Sequence, residues 1–484
     1  MKATSNWLEA HARFRPQAEA LFDVDNNRRW TYAELHSDAQ CWAHRLHQVG
    51  VGHGDRVALL AHNRGETFTL LFACAELGAI LQPMNWRLAE EELRWQLDNA
   101  EPKVLLTDET HRTVLAQDVL SIEEGPGDKP FTGPGAALEE PWVLMYTSGS
   151  SGRPKGALLT HRQMHWNAVN TTLACDLAPS DSTLTFTPLF HTGGLNCISA
   201  PLLHRGGRVV LTRGVDVPQA LKLIESEGIT LLMGVPTIYQ MLADHADFAS
   251  TDFGTVRDAL CGGAPLPLSL LSRYLERSVP LRQGFGLTEV GPNCFSTPPA
   301  RVREKLGTVG VAIHHIAAKI VRPDGTEADI DEAGELWLKG PVVCSGYWRN
   351  PQANANSFVD GWFRTGDVLC RDADGFFSVR GRIKEMFISG GENVYPAEIE
   401  AAITENESIG QAAVIGVPDN RWGEVGRAFI EPRPGHSIDV GQLRCWLEGR
   451  LARFKLPKSM LVLSELPRTA SGKIDKQALR AMDP

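Results

Sequence analysis

Trp142-Val-Leu-Met-Tyr-Thr-Ser-Gly-Ser-Ser-Gly-Arg-Pro-Lys-Gly156 is an apolar strand that runs straight into a glycine–serine loop closed by a lysine. From Tyr146 to Gly156 there are three glycines and four serine or threonine hydroxyls. Hydroxyls and successive backbone N–H groups in a tight turn wrap phosphate oxygens, and Lys155 adds positive charge. The spacing is G-x-x-G-x-x-K-G, so the Ser or Thr that follows the lysine of a Walker loop is missing. The same composition suits a flexible linker. The strand before it, with Pro154 and Lys155 embedded, favours a phosphate-binding turn.

Upstream, one pattern repeats. Thr31 and Glu34 form a capping box that opens a helix through about Val49. RVALLA at 56–61 reads as a buried strand, 65–77 as a helix stopped by Gly78, and AILQPMN as strand and turn. LAEEELRWQLDNA at 88–100 is amphipathic, and KVLLTD at 103–108 is again strand. Apolar strands alternating with helices predict a layered α/β domain. The polar segment 123–140 reads as an exposed loop.

Downstream, the alternation continues through TLTFTP (183–188), RVVLTR (208–213), a helix at 217–226, a strand at 229–233 and a helix at 236–245. After Gly307 the texture becomes β-rich, with short strands between PDG, ADG and DG turns. A second shift follows Gly381, where about 100 residues of mixed strands and helices are enough for a separate small domain. We place the units at 1–381 and 382–484.

The chain has 484 residues, too many for one ordinary core. Its net charge of −10 argues against a general nucleic-acid binder. From Gly381 onward 14 basic residues balance 14 acidic ones, so the first 380 residues carry the whole excess. No apolar run approaches the ~20 residues of a membrane span. The N-terminal stretch lacks the apolar core of a secretory signal, and no two of the nine cysteines lie closer than 22 residues. Reduced cytoplasm is the expected compartment.

Other segments carry weaker chemistry. Gln283-Gly-Phe-Gly-Leu-Thr-Glu289 sets an aromatic ring between glycines, suited to a purine, with Thr288 and Glu289 offering oxygens to phosphate-bound Mg²⁺. Read alone it is also an ordinary capped turn. Cys261-Gly-Gly-Ala-Pro265 is a close-approach turn, and Gly390–Gly391 would let a ligand pass. Asp367 and Arg382 are charges in turns, suited to ribose and phosphate or simply to solvent. Lys473 follows a glycine turn near the tail. His161 and His165 lie four apart but lack the glutamate of HExxH, so a zinc site is not expected there. His191 sits just past a strand, where sheet proteins bind ligands.

Together these segments resemble the adenylate-forming enzymes, which include acyl-CoA synthetases, peptide synthetase adenylation domains and beetle luciferases. The resemblance covers nearly the whole chain, with six motifs in family order. It implies an α/β fold with a large multilayered N-terminal domain, a β-rich subdomain and a small mobile α+β C-terminal domain hinged at Lys384. The loop Thr147, Ser148, Gly149, Ser150, Ser151, Gly152 and Lys155 would hold ATP phosphates. Gly263, Ala264 and Pro265 would line the adenine pocket, with Phe285 and Gly286 against the base. Phe285 stands where tyrosine is commoner in the family.

By the same resemblance, Thr288 would contact phosphate, Glu289 would ligate Mg²⁺, and Asp367 and Arg382 would hold the ribose. Lys473 would be the catalytic lysine of adenylation, assisted by Lys155. Gly390 and Gly391 would border the pantetheine tunnel of CoA. The acyl group would lie near His191, Val235, Gly262, Val290 and Gly291. No Asp or Lys there invites an amino-acid ammonium, so a plain carboxylic acid is expected.

The implied activity is an ATP-dependent carboxylic acid:CoA ligase using Mg²⁺, with a medium- or long-chain fatty acid as the first expectation. The alternatives are an aryl or cinnamate-like acid, or an acyl-AMP ligase that loads an acyl carrier protein. The chain shows no obvious insertion of the kind fatty-acyl-AMP ligases carry, which favours CoA as acceptor, and with no carrier domain after Pro484 a multidomain peptide synthetase module is not expected. The resemblance leaves a homodimer open.

Overall fold

The computed structural model describes residues 6–113, 120–147, 154–389, 392–419, 421–448, 450–469 and 472–482. Among them the strands form four sheets. A nine-stranded sheet runs in the order Val311–Ala312, Gly291–Ser296, Leu281–Leu287, Asp258–Cys261, Leu231–Gly234, Ser182–Thr185, Arg208–Leu211, Glu19–Asp23, Arg28–Thr31. Its six strands from Leu281–Leu287 to Glu19–Asp23 are parallel. A six-stranded sheet places Arg56–Leu60 between Val104–Thr107 and Ile80–Pro83, all parallel, and ends in the antiparallel pair Pro141–Thr147 and Lys155–Thr160. These strands are short and almost wholly apolar because both faces are covered.

The cover comes from the predicted helices. Thr31 caps Tyr32–Gln48: its hydroxyl accepts from Glu34 N at 3.2 Å while the Glu34 carboxylate accepts from Thr31 N at 2.8 Å. Glu66–Leu77 is buried on every side and stops at Gly78, whose φ of +67° is the left-handed conformation that glycine adopts without strain. One apolar core joins both helices to both sheets. The layered α/β organisation expected from the alternation is what the chain adopts.

The β-rich region forms an antiparallel sheet of Ala317–Val321, Gly334–Lys339, Trp362–Arg371, Phe358–Val359 and Phe377–Arg382. From Phe387 on, the strands make a fourth sheet around the long hairpin Ile409–Asp419 and Gly423–Pro432, with its own core against the helices Pro396–Thr404 and Val440–Glu448. Among the described residues no helix is long and apolar enough to cross a membrane.

Two local outcomes differ from the sequence reading. The stretch 283–287, which read alone also suits a capped turn, is strand: Leu281–Leu287 pairs with Gly291–Ser296 in a hairpin closed by Thr288–Val290. Hairpin pairing supplies backbone partners that local composition does not show. Leu195–Ser199 is a π-helical insertion, which periodicity at 3.6 residues does not signal.

His161 lies in the core rather than on a metal. Its ring stacks on Trp142 at 4.5 Å and 11°, and both ring nitrogens are buried without a partner. Burial holds its pKa at about 4. The unfolded chain, with a pKa near 6.5, therefore binds a proton that the folded chain refuses between about pH 6.5 and 4. Stability should fall as pH drops through that window, by up to ~3 kcal/mol from this group. His161→Phe keeps the stack and should flatten the dependence, read as urea midpoints of both proteins at pH 7 and pH 5.

Candidate active site

The parallel strands at the centre of the nine-stranded sheet have their carboxyl ends together at one edge, the usual place for a ligand cleft in such sheets. Leu231–Gly234 leads to Val235, and Asp258–Cys261 leads to Gly262, Gly263, Ala264 and Pro265. Gly263 has φ +81° and its absent Cβ would meet Val235. Gly263, Ala264 and Pro265 are exposed, as a ligand-facing turn requires. Phe285 is half-buried, with its ring edge-on to Phe295, its cross-strand neighbour, at 5.8 Å. A Cβ on Gly286 would fall 2.1 Å from the Pro292 carbonyl oxygen, so only glycine lets the hairpin close beside that ring.

The ends of the glycine–serine segment, Thr147 and Lys155, belong to a hairpin. Thr147 pairs with Lys155 across it, while Ser148, Gly149, Ser150, Ser151 and Gly152 lie outside the described residues, as do Gly390 and Gly391. The Thr147 hydroxyl lies 3.5 Å from Glu289 Oε1, and the Tyr347 hydroxyl donates to that same oxygen at 2.8 Å. Lys155 Nζ stands 5.0 Å from the Tyr347 ring centroid. Thr288 is buried, and its carbonyl accepts from Gln163 Nε2 at 3.0 Å. Tyr347 therefore ties the loop root to Glu289, 58 residues away. The sequence reading missed it, although Gly346 beside an aromatic is the signal that marked Phe285.

Asp367 and Arg382 face each other across two strands, and Arg382 Nε donates to Asp367 Oδ1 at 2.8 Å. Asp367 is 3% exposed, and its Oδ2 is buried with no partner in the protein. Burial pushes this carboxyl upward, against the charge and hydrogen bond of Arg382. A vicinal diol would give both oxygens donors.

The C-terminal segment enters the same cleft. Gly472, at φ +83°, turns the chain so that Thr469 N donates to the Lys473 carbonyl at 2.7 Å. Burial lowers the Lys473 pKa, Arg382 adds to the effect, and Asp367 and Glu289 oppose it. Burial and then Lys473 hold His191 at a pKa of about 4. Both side chains keep accessible surface, as groups lining an open cleft do while protein crowds them from behind. His191 Nδ1 accepts from Gly193 N at 3.2 Å, so a neutral ring carries its proton on Nε2. Lys384 sits beside Arg382 with its pKa lowered by burial and then by that charge. Lys155, Arg382, Lys384 and Lys473 thus converge on three carboxylates, Glu289, Asp367 and Glu385, an excess of positive charge that suits a polyphosphate.

Of the proposed acyl-site residues, Val290 is in the main core, while Gly291, at φ +82°, backs directly onto Asn167 Oδ1. The excluded histidine pair does not converge: His165 Nδ1 meets His204 at 3.2 Å while His161 stacks on Trp142. Among the described residues the one cluster with metal-ligand groups is His62, Asp108 and His111. Internal hydrogen bonds close it, because Asp108 accepts from both ring Nδ1 atoms and from both backbone N–H groups.

Residues 8–348 match the family described as AMP-binding enzyme, and residues 398–473 match the AMP-binding enzyme C-terminal domain. A feruloyl-CoA synthase from Amycolatopsis is 41% identical over 98% of both chains. An indoleacetate–CoA ligase from Aromatoleum aromaticum is 39% identical over 99% of this chain and 98% of its own. The o-succinylbenzoate CoA synthetase of Bacillus subtilis, solved with its acyl-adenylate intermediate, superposes with a TM-score of 0.90 at 31% identity over 98% of both chains. It has also been solved with ATP and a magnesium ion.

Proposed function

The chain belongs to the AMP-binding enzymes of the adenylate-forming superfamily and is an AMP-forming acid–thiol ligase that uses ATP, Mg²⁺ and CoA; from that premise we propose that its acid is an aryl or arylalkyl carboxylic acid. The carrying observation is that full-length relatives at about 40% identity are feruloyl-CoA synthase and indoleacetate–CoA ligase. The fatty-acid expectation gives way to the aryl alternative on that ground. The local geometry agrees: the flat His191 ring and the bare backbone of Gly262 and Gly263 suit a planar group.

A carboxylate is a poor acyl donor until its oxygen attacks the α-phosphorus of ATP and expels pyrophosphate, giving an acyl-AMP anhydride. Two anions must be held together, so the work is positioning and charge neutralisation. We assign Lys473 to the substrate carboxylate and α-phosphate, Lys155 and the Thr147 loop to the distal phosphates, and Asp367 with Arg382 to the ribose. Glu289 fits a hard cation: Tyr347 and Thr147 both engage Oε1, which leaves Oε2 for Mg²⁺. Bound there, Mg²⁺ would screen phosphate charge and orient the leaving group.

In the second step the CoA thiol attacks the acyl carbonyl and AMP leaves. Lys473 must then vacate the cleft, and we assign the turn to Lys384, between the strand ending at Arg382 and the sheet starting at Phe387. Lys476 pairs with Glu385 at 2.8 Å and Glu400 at 2.7 Å, so the tail that carries Lys473 would move with the last domain.

The test is carboxylate-dependent exchange of labelled pyrophosphate into ATP across an acid panel, repeated with CoA and read for thioester by mass. Cinnamate-like or indole acids should exceed C6–C16 fatty acids at least ~10-fold in kcat/KM, the discrimination of ~1–3 kcal/mol a shaped pocket supplies. A fatty acid as the best substrate would overturn the proposal.

A further inference from the structure

Resting on the assignment of Glu289 to Mg²⁺, we propose that Tyr347 is a positioning residue that makes the site selective for Mg²⁺ over Ca²⁺, by keeping Glu289 a one-oxygen ligand. Both side chains are buried, Glu289 at 8% exposure and Tyr347 at 6%. The phenol donates to Glu289 Oε1 at 2.8 Å. The Thr147 hydroxyl is a weaker second donor: it lies 3.5 Å from that oxygen and 3.3 Å from the Lys155 carbonyl, with one hydrogen to give. Among the described residues no hydrogen bond reaches Oε2. One carboxylate oxygen is tied to the protein and the other is left over.

A phenol holds a carboxylate still only if it is itself held. Asn354 Oδ1 accepts from Tyr347 N at 2.7 Å, and Asn354 Nδ2 donates to the Tyr347 carbonyl at 3.1 Å, so one amide clamps both backbone groups. On either side, Leu158 N donates to the Gly346 carbonyl at 2.9 Å and Trp348 N donates to the Gly156 carbonyl at 2.7 Å. These bonds fasten the segment to the strand Lys155–Thr160, which leaves the glycine–serine segment. Gly346, at φ +131°, lies against the clamp, since an added Cβ would stand 3.0 Å from Asn354 Oδ1. Cys344 N donates to the Glu289 carbonyl at 2.7 Å. One short segment, Cys344–Trp348, therefore holds residue 289 by its backbone and by its carboxylate.

The chemistry selects the ion. Mg²⁺ demands a near-ideal octahedron with oxygens at about 2.0–2.1 Å, and the two oxygens of one carboxylate stand too close together to fill adjacent corners of it. Ca²⁺ accepts about six to eight oxygens at longer range and takes both from one carboxylate readily. With Oε1 held by a fixed phenol, Ca²⁺ loses a ligand that Mg²⁺ does not use. Outer partners of this kind orient a ligand and tune its metal. A tyrosine that only packed would serve both ions alike.

The experiment measures ATP binding by calorimetry without acid or CoA, so that no turnover occurs, in the wild type, Tyr347→Phe and Glu289→Gln. Each protein is titrated in EDTA, in Mg²⁺ and in Ca²⁺. The wild type should bind ATP at least ~10-fold more tightly with Mg²⁺ than with Ca²⁺, and Tyr347→Phe should bring the two within ~3-fold by losing Mg²⁺ support, the scale on which a metal ligand's outer partner acts. AMP, which brings no distal phosphates, should bind both proteins alike and reports that the variant is folded. Equal affinity with both ions in the wild type would overturn the proposal whatever the variant does. An unchanged ion preference in Tyr347→Phe, or equal loss with both ions, would also overturn it and leave Glu289 as the Mg²⁺ ligand. Glu289→Gln should lose most of the gain from Mg²⁺; keeping all of it would overturn the Glu289 assignment and this inference with it.

Discussion

Lys473→Ala should lower acyl-AMP formation by about 10²–10³-fold and leave thioester formation from supplied acyl-AMP within ~5-fold of wild type. The magnitude follows from what the side chain does in the cleft. Its ammonium sits with the Asp367–Arg382 pair and Glu289, in surroundings that disfavour its charge when the cleft is empty. A carboxylate and an α-phosphate reverse that preference, because each brings the negative charge that the site otherwise lacks. A preorganised cation aimed at charge that develops in the transition state typically contributes about 3–4 kcal/mol. The second half-reaction expels AMP through attack by a thiol, and with the tail turned away Lys473 would take no part in it. Pyrophosphate exchange reads the first step, and thioester yield from synthetic acyl-AMP reads the second. Equal loss in both would remove the two-position account of the last domain.

Arg282→Met should cost about 3–5 kcal/mol of stability, measured as the urea midpoint at neutral pH. Arg282 and Asp258 lie on adjacent parallel strands, with side chains 1% and 6% exposed. Arg282 Nε donates to Asp258 Oδ1 at 2.7 Å, its Nη2 reaches the other carboxylate oxygen, and Nη1 binds Ser296 and, at 3.1 Å, the Thr297 carbonyl. Burial works against the guanidinium's charge, but the hydrogen bonds and charge of Asp258 outweigh it. Removing the cation strands a carboxylate in the interior, and that penalty exceeds anything the fitted methionine returns. The double replacement Asp258→Leu with Arg282→Met should recover most of the loss, because no lone charge remains. A single variant as stable as wild type would show that water reaches this pair.

Much of the site was legible because phosphate chemistry is written in short local runs. A turn that wraps phosphate needs glycines and hydroxyls next to one another, so 142–156 stands out as a candidate without tertiary information. The turn at 261–265 did the same through adjacent glycines. Asp367 and Arg382 are different. Fifteen residues apart, each taken alone suits ribose or phosphate or simply solvent, and only the register of two antiparallel strands brings them to 2.8 Å. The segment 283–289 suits a purine between glycines or an ordinary capped turn, since the strand character of 283–287 comes from pairing with 291–296 and not from its own composition.

By itself the sequence determined the alternation of strands and helices, the order of the motifs and, through them, the class of chemistry. Each of these is carried by residues within a dozen positions of one another, where backbone geometry and spacing suffice. The tertiary structure alone decided which distant groups meet: Glu289 with Tyr347 and Thr147, the tail lysine with Asp367 and Arg382, Arg282 with Asp258. It alone left Asp367 Oδ2 buried and unpaired. Whether a polar atom is satisfied depends on every neighbour in space, and spacing along a chain carries no such distances.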